Sequence, residues 1–181
     1  MKELESLLER VKKLNPDVQE HGGLPAPEIE KAFAKIGLKA PEKLIALFEW
    51  RNGIDELNAF TCMLNLSAAI DCYKTYKELA KELKDFKHAF NWKSEWFPII
   101  DINGNYQVCL DTKTGGLALV DMECDMASPI CDSYRIYLQA LNEGFEKRVF
   151  RWNEEHSLIE GNDEDWKAIL SRHGLPEISE R

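Results

Sequence analysis

Apolar residues recur along the first third of the chain at helical spacing. Leu4, Leu7, Leu8, Val11 and Leu14 make one stripe, which Asn15-Pro16 ends. A loop follows, His21-Gly22-Gly23-Leu24-Pro25. Pro27 suits the first position of a second helix, with Glu28 at its positive end and Ile29, Phe33 and Ile36 as its inner face. Gly37 is a natural stop. Pro41 and Glu42 open a third helix, Leu44, Ile45, Leu47 and Phe48 fill it, and Trp50-Arg51-Asn52-Gly53 closes it. Residues 60–66 suit a strand, and Ser67 is placed to cap the next helix. On that helix Ile70, Tyr73, Tyr76, Ala80 and Leu83 share a face opposite lysines. Residues 84–96 read as a polar and aromatic connection.

The period then falls to two. Phe97-Pro98-Ile99-Ile100-Asp101 is a short apolar run, and Asn103-Gly104 signals a tight turn. Tyr106, Val108 and Leu110 alternate with Gln107 and Cys109. Thr114-Gly115-Gly116 turns again before a third run, 117–120. Three strands with short turns predict an antiparallel meander. After Pro129 the helical period returns in Tyr134, Tyr137, Leu138, Leu141 and Phe145, with Asp132 as the expected cap. Asn162 caps a last helix with Asp163 and Glu164 at its start, Trp166, Ile169 and Leu170 inside, and Gly174 at its end. Helices, a meander and then helices make the fold class α+β, an antiparallel sheet packed with helices. The expected organisation is one domain over residues 1–150, with an extra N-terminal helix over 1–15. An acidic extension with a short helix then covers 151–181.

Charge adds the main asymmetry. The chain has 181 residues and a net charge of −9. Residues 1–93 carry 15 basic and 15 acidic side chains, whereas residues 94–181 carry 8 and 17. A negative balance argues against nucleic acid and anionic membranes as partners, because cationic surface supplies most of that attraction. No apolar run approaches the length of a membrane span, and residues 1–5 lack the apolar stretch of a signal peptide. Cys62, Cys72, Cys109, Cys124 and Cys131 are odd in number and irregular in spacing, with no C-x-x-C pair. Reduced thiols in a cytoplasmic protein are the expectation.

The acids cluster. Asp101, Asp111, Asp121, Glu123, Asp125 and Asp132 have only Lys113 as a basic neighbour over their span, and residues 153–165 hold six acids and no Lys or Arg. Taken alone, such runs are ordinary solvated surface, and aspartates after apolar runs are ordinary turn formers. Asp101, Asp111 and Asp121 at neighbouring strand ends are also the residues a metal-dependent hydrolase would use to hold Mg²⁺. No His-x-His, carboxylate–His spacing or glycine-rich phosphate loop accompanies them. His21, His88, His156 and His173 have no motif-bound Cys or Ser. Trp50, Trp92, Trp96 and Trp152 read as core or rim residues. Lys74, Lys77, Lys81, Lys84 and Lys87 are balanced by Glu78, Glu82 and Asp85, a solvated helix face.

Two stretches carry a family likeness. From Leu24-Pro25 a Pro-started helix leads to a second helix that ends in Trp50-Arg51-Asn52-Gly53. This resembles the opening of the SUKH superfamily, where a helix runs into an aromatic-x-Asn-Gly turn. Trp96-Phe97-Pro98-Ile99, then Gly104-Asn105-Tyr106 through Cys109-Leu110-Asp111, resembles that family's core strands, and the helix over 134–145 fits its closing helix. The likeness spans residues 24–145 and leaves out the first helix and the tail. It implies an α+β protein-binding module with no catalytic residues, cofactor or metal. Many bacterial members are immunity proteins that neutralise a toxin domain, often a nuclease, while fungal members regulate cell-wall assembly. An acidic inhibitor suits a basic, phosphate-gripping toxin. On this reading the partner-binding residues are Asp101, Asp111, Asp121, Glu123, Asp125, Glu154 and Glu155. They form one negative face if the meander ends and the tail share a side. A regulatory module without a toxin partner and the hydrolase are the alternatives.

Overall fold

The computed structural model describes residues 2–58, 61–84, 90–122 and 126–177. The fold is α+β. The described elements are α1 (Lys2–Leu14), β1 (Glu20–Gly22), α2 (Ala26–Lys35), α3 (Glu42–Trp50), β2 (Arg51–Asn58), β3 (Thr61–Met63) and α4 (Leu66–Glu82). They continue with β4 (Trp96–Ile102), β5 (Tyr106–Asp111), β6 (Leu117–Asp121), β7 (Met126–Cys131), α5 (Tyr134–Glu146), β8 (Phe150–Asn153), β9 (Leu158–Gly161) and α6 (Asp163–Arg172). Strands β1 to β7 form one sheet in sequential order, every pair antiparallel, and β8 and β9 form a separate hairpin.

The expected three-stranded meander is the centre of this larger sheet, β4–β5–β6. Its first turn places Asn103 at φ 55° and Gly104 at φ 71°, the paired positive angles of a type I′ turn. Five further described strands, β1, β2, β7, β8 and β9, lie outside the strands expected from sequence. Arg51-Asn52-Gly53 does not close a helix into a turn. It begins β2, because α3 ends at Trp50 and Arg51 is already extended. Gly53 has φ 108° within that strand, and a Cβ there would stand 3.1 Å from the Asn65 amide nitrogen. The Asn52 carboxamide accepts from Leu66 N at 2.9 Å, tying β2 to the start of α4. The strand expected over 60–66 extends only over Thr61–Met63, with residue 60 outside the described residues, since Asn65 rather than Ser67 caps α4 and accepts from Ala68 N. Likewise Ser133, not Asp132, caps α5. β7 contains Pro129, which an edge strand tolerates.

One apolar core runs through the molecule. Ile54, Leu57, Met63, Ile99 and Ile100 of the sheet meet Leu4, Leu7 and Leu8 of α1, Leu47 of α3 and Leu138 of α5. Phe97 of β4 lies 4.7 Å from Phe33 of α2 and 5.8 Å from Tyr73 of α4, ring centre to ring centre. Trp92 and Trp96 are buried and Trp50 and Trp152 half-buried. Residues beyond 150 join this core: Ile159, Ile169, Leu170 and Leu175 are buried. Phe150 seats the β8–β9 hairpin, packing 4.8 Å from Phe145 of α5 and 5.1 Å from Trp166 of α6.

Candidate functional site

Asp101 and Asp111 are each a local product of their element. Asp111 ends β5, and its carboxylate gathers the turn that follows. One oxygen accepts from Lys113 N at 2.8 Å and Thr114 N at 2.9 Å, and the other from the Trp96 indole at 3.3 Å. Burial pushes this carboxyl up, but the Thr114 and Lys113 amides and the indole outweigh it, so the net shift is down. Asp101 accepts from Gly104 N at 3.0 Å and from the Gln107 carboxamide. Gln107 is buried and takes a second bond from the Tyr76 hydroxyl on α4. Cys62 pairs in register with Asp101, and burial, then that carboxylate, push its thiol up to about 11. Burial raises Cys72 and Cys109 as well, so these thiols are held protonated rather than activated.

The three aspartates do not converge. Asp101 pairs with Gln107 near one end of β5, while Asp111 pairs with Trp96 at the other end. At about 3.4 Å per residue those two rows stand roughly 14 Å apart. Asp121 is opposite Tyr106, one residue along from Gln107, so it belongs to the other face of the sheet from Asp101. Among the described residues, no group of three or more His, Cys, Asp or Glu side chains is placed to hold a metal ion. Glu123, Asp125 and Cys124 lie outside the described residues, as does His88.

The tail acids do gather. β8 and β9 pair from Phe150↔Gly161 to Asn153↔Leu158, and Glu154 and Glu155 form the exposed turn between them. The Asn153 carboxamide holds that turn, accepting from Glu155 N at 2.9 Å and His156 N at 3.1 Å. α6 starts immediately after β9. Asn162 caps it by accepting from Asp165 N at 3.0 Å, and Asp163, Glu164 and Asp165 fill its first turn, where the helix dipole favours anions. Glu154, Glu155, Glu160 and Asp165 therefore line one open groove of about 590 Å³, together with Asn153 and Asn162. None of these four carboxylates makes an ion pair with a described residue. Arg151 is the one cation among the groove's described lining residues.

No protein-family model matches this sequence, and none of the curated proteins matches it.

The hairpin reaches the large sheet at β2, where Glu56 accepts from Asn15 Nδ2 and from Ile159 N, each at 2.8 Å. β2 is four strands from β6, which bears Asp121. At about 4.8 Å per strand that is a lateral separation of roughly 19 Å. The described acids thus include a tail group around a groove and two meander residues, Asp101 and Asp111, engaged with their own turns. Sequence reading placed Glu154 and Glu155 in an acidic run but did not single out Glu160 and Asp165 beside them. Strand pairing and the α6 cap bring those two in, and an Asn-capped start after a short hairpin was the only signal for it.

No helix among the described residues is long and apolar enough to cross a membrane.

Proposed function

We propose that this chain is a non-enzymatic protein-binding module of the SUKH type, a bacterial cytoplasmic immunity protein that occludes a basic toxin domain. The supporting observation is the groove at the β8–β9 turn and the start of α6, where Glu154, Glu155, Glu160 and Asp165 make no ion pair with a described residue. A solvated surface charge gains from neutralisation only when a partner brings the opposite charge close. Three like charges on an anchored hairpin and a fourth on the first turn of α6 attract a cationic surface over the range of a Debye length. Rigidity comes from Phe150, wedged against α5 and α6, and from the Glu56 bond to Ile159. Asp101 and Asp111 then serve the architecture, and the contact moves to the tail, outside the stretch that resembles SUKH proteins.

The test is a photo-crosslinking residue placed at 155 and, separately, at 113 in the β5–β6 turn, in cells of the native host. The expected result is one adduct from 155, with a protein of basic surface, and none from 113. Adducts from 113 alone would overturn the assignment to the tail groove.

A further inference from the structure

The other side of the same hairpin has the opposite character. A groove of about 530 Å³ runs between α1 and β8, lined by Arg10, Lys13, Arg148 and Arg151 with Phe145 and Trp152. Arg10 is held by Glu146 and Asn142. Lys13, Arg148 and Arg151 are exposed and form no ion pair with a described residue, in a chain of net charge −9.

The backbone along this groove is a free strand edge. Asn162 N donates to Val149 O, which makes 149↔162 a hydrogen-bonded pair, and by alternation 151↔160 and 153↔158 as well. Phe150 and Trp152 then turn their amides away from the partner strand. The same rule on β9 turns the Ile159 amide outward, and there Glu56 receives it. On β8 the outward N–H and C=O of Trp152 make no backbone hydrogen bond to a described residue outside the hairpin.

Arg148 supplies an independent sign. Val149 N bonds to Gly144 O and Arg148 N to Phe145 O, the Schellman closure of α5. That closure puts Arg148 in the left-handed region at φ 57°, the position where glycine is free of strain and an L side chain is not. A strained non-glycine residue whose charged group lines a groove is a feature of binding sites.

We propose that this groove takes an extended, acidic peptide segment of a partner protein as an added strand on β8. Main-chain bonds to Trp152 give the pairing, the Trp152 and Phe145 rings take an apolar side chain, and Lys13, Arg148 and Arg151 take carboxylates at alternate positions. A polynucleotide meets the same cations, but it lacks the alternating donors and acceptors that a strand edge presents. This surface adjoins the acidic groove, with Arg151 and Trp152 lining both, and it does not depend on the function assigned to that groove.

The probe is a terminally blocked heptapeptide of alternating glutamate and valine, titrated against the full chain and followed by tryptophan fluorescence. Its controls are the lysine–valine counterpart, the same glutamate peptide N-methylated at alternate residues, and oligouridylate. The expected result is saturable binding of the glutamate peptide, about tenfold or more weaker after N-methylation, with no binding of the lysine peptide or the oligonucleotide. Arg148→Gly should raise the melting temperature by about 2–4 °C through relief of the left-handed strain, yet weaken the peptide about three- to tenfold. Arg151→Gln should weaken it similarly. Equal binding of the N-methylated peptide, tighter binding of oligouridylate, unchanged affinity in Arg148→Gly and Arg151→Gln, or a self-associated chain that the peptide does not dissociate would each overturn the proposal.

Discussion

Replacing Gly144 with alanine sets two effects of opposite sign against each other. Gly144 lies inside α5, where alanine is worth about 1 kcal/mol of helix propensity over glycine. A Cβ on Gly144, however, would stand 2.4 Å from Phe150 Cε2, 3.0 Å from Cδ2 and 3.2 Å from Cζ. The ring has little room to retreat. On its far side Cδ1 and Cε1 lie 3.2 Å from where a Cβ of Gly161 would be, and Phe145 and Trp166 close the remaining directions. Forcing a methyl into a packed core costs about 1–3 kcal/mol, and a contact more than 1 Å too short belongs at the upper end. The balance is a net destabilisation of about 2 kcal/mol. For a chain of 181 residues that lowers the melting temperature by about 4–8 °C. Thermal and urea unfolding of Gly144→Ala, Phe150→Leu and the double variant complete the cycle. With the ring gone, the alanine should be neutral or stabilise by up to about 1 kcal/mol. A Gly144→Ala protein more stable than the parent would mean that Phe150 is not seated against α5, and that the hairpin is not anchored as described.

Three further outcomes follow from single side chains. Tyr76→Phe removes the phenol that bonds buried Gln107 and should cost about 1–3 kcal/mol in urea unfolding; no loss would mean that Gln107 is satisfied elsewhere. Asp111→Ala strips the β5–β6 turn of two amide acceptors and leaves the buried Trp96 indole unpaired, for an expected loss of about 2 kcal/mol by chemical denaturation. Glu143 is depressed from 4.5 to about 2, first by its bond to Lys147, then by His173, with Arg172 adding to it. Its folded-state value is the lower one, so its stabilisation is complete above pH 4.5 and is lost as pH falls toward 2. Glu143→Gln should flatten that part of the stability–pH curve, and an unchanged slope there would refute the assignment.

The legible part of this fold is the part that repeats. Leu4 to Val11, Ile29 with Phe33, and Tyr137 to Phe145 announce their helices because a 3.6-residue stripe is imposed by one core. Asn103-Gly104 announces its turn because few dipeptides accept two positive φ angles. β2 stayed hidden because Arg51-Asn52-Gly53 reads as a turn, and only pairing with β3 and β1 makes it a strand. β8 and β9 are four residues each, too short for a period, and β7 carries a proline. The candidate site was half legible for the same reason. A run of acids is visible in sequence, but whether it faces one groove depends on strand register and on the point where α6 begins. Asp111 was legible from its place: an aspartate just after an apolar run is an ordinary turn former, and its carboxylate accepts from the amides of its own turn. The cationic groove gave no sequence signal at all, since Lys13 and Arg148 are 135 positions apart and meet only because α1 packs on α5.

Under the proposed function the tail acids, and not those of the meander, engage a basic partner. The direct measurement is the association rate of the partner captured at residue 155, by stopped-flow at low and high salt, for the parent, Glu154→Lys/Glu155→Lys and Asp121→Asn. The expected rate falls about tenfold or more in the double charge reversal and with added salt, and is unaffected in Asp121→Asn. A rate indifferent to both the reversal and the salt, or one that drops only in Asp121→Asn, would contradict it.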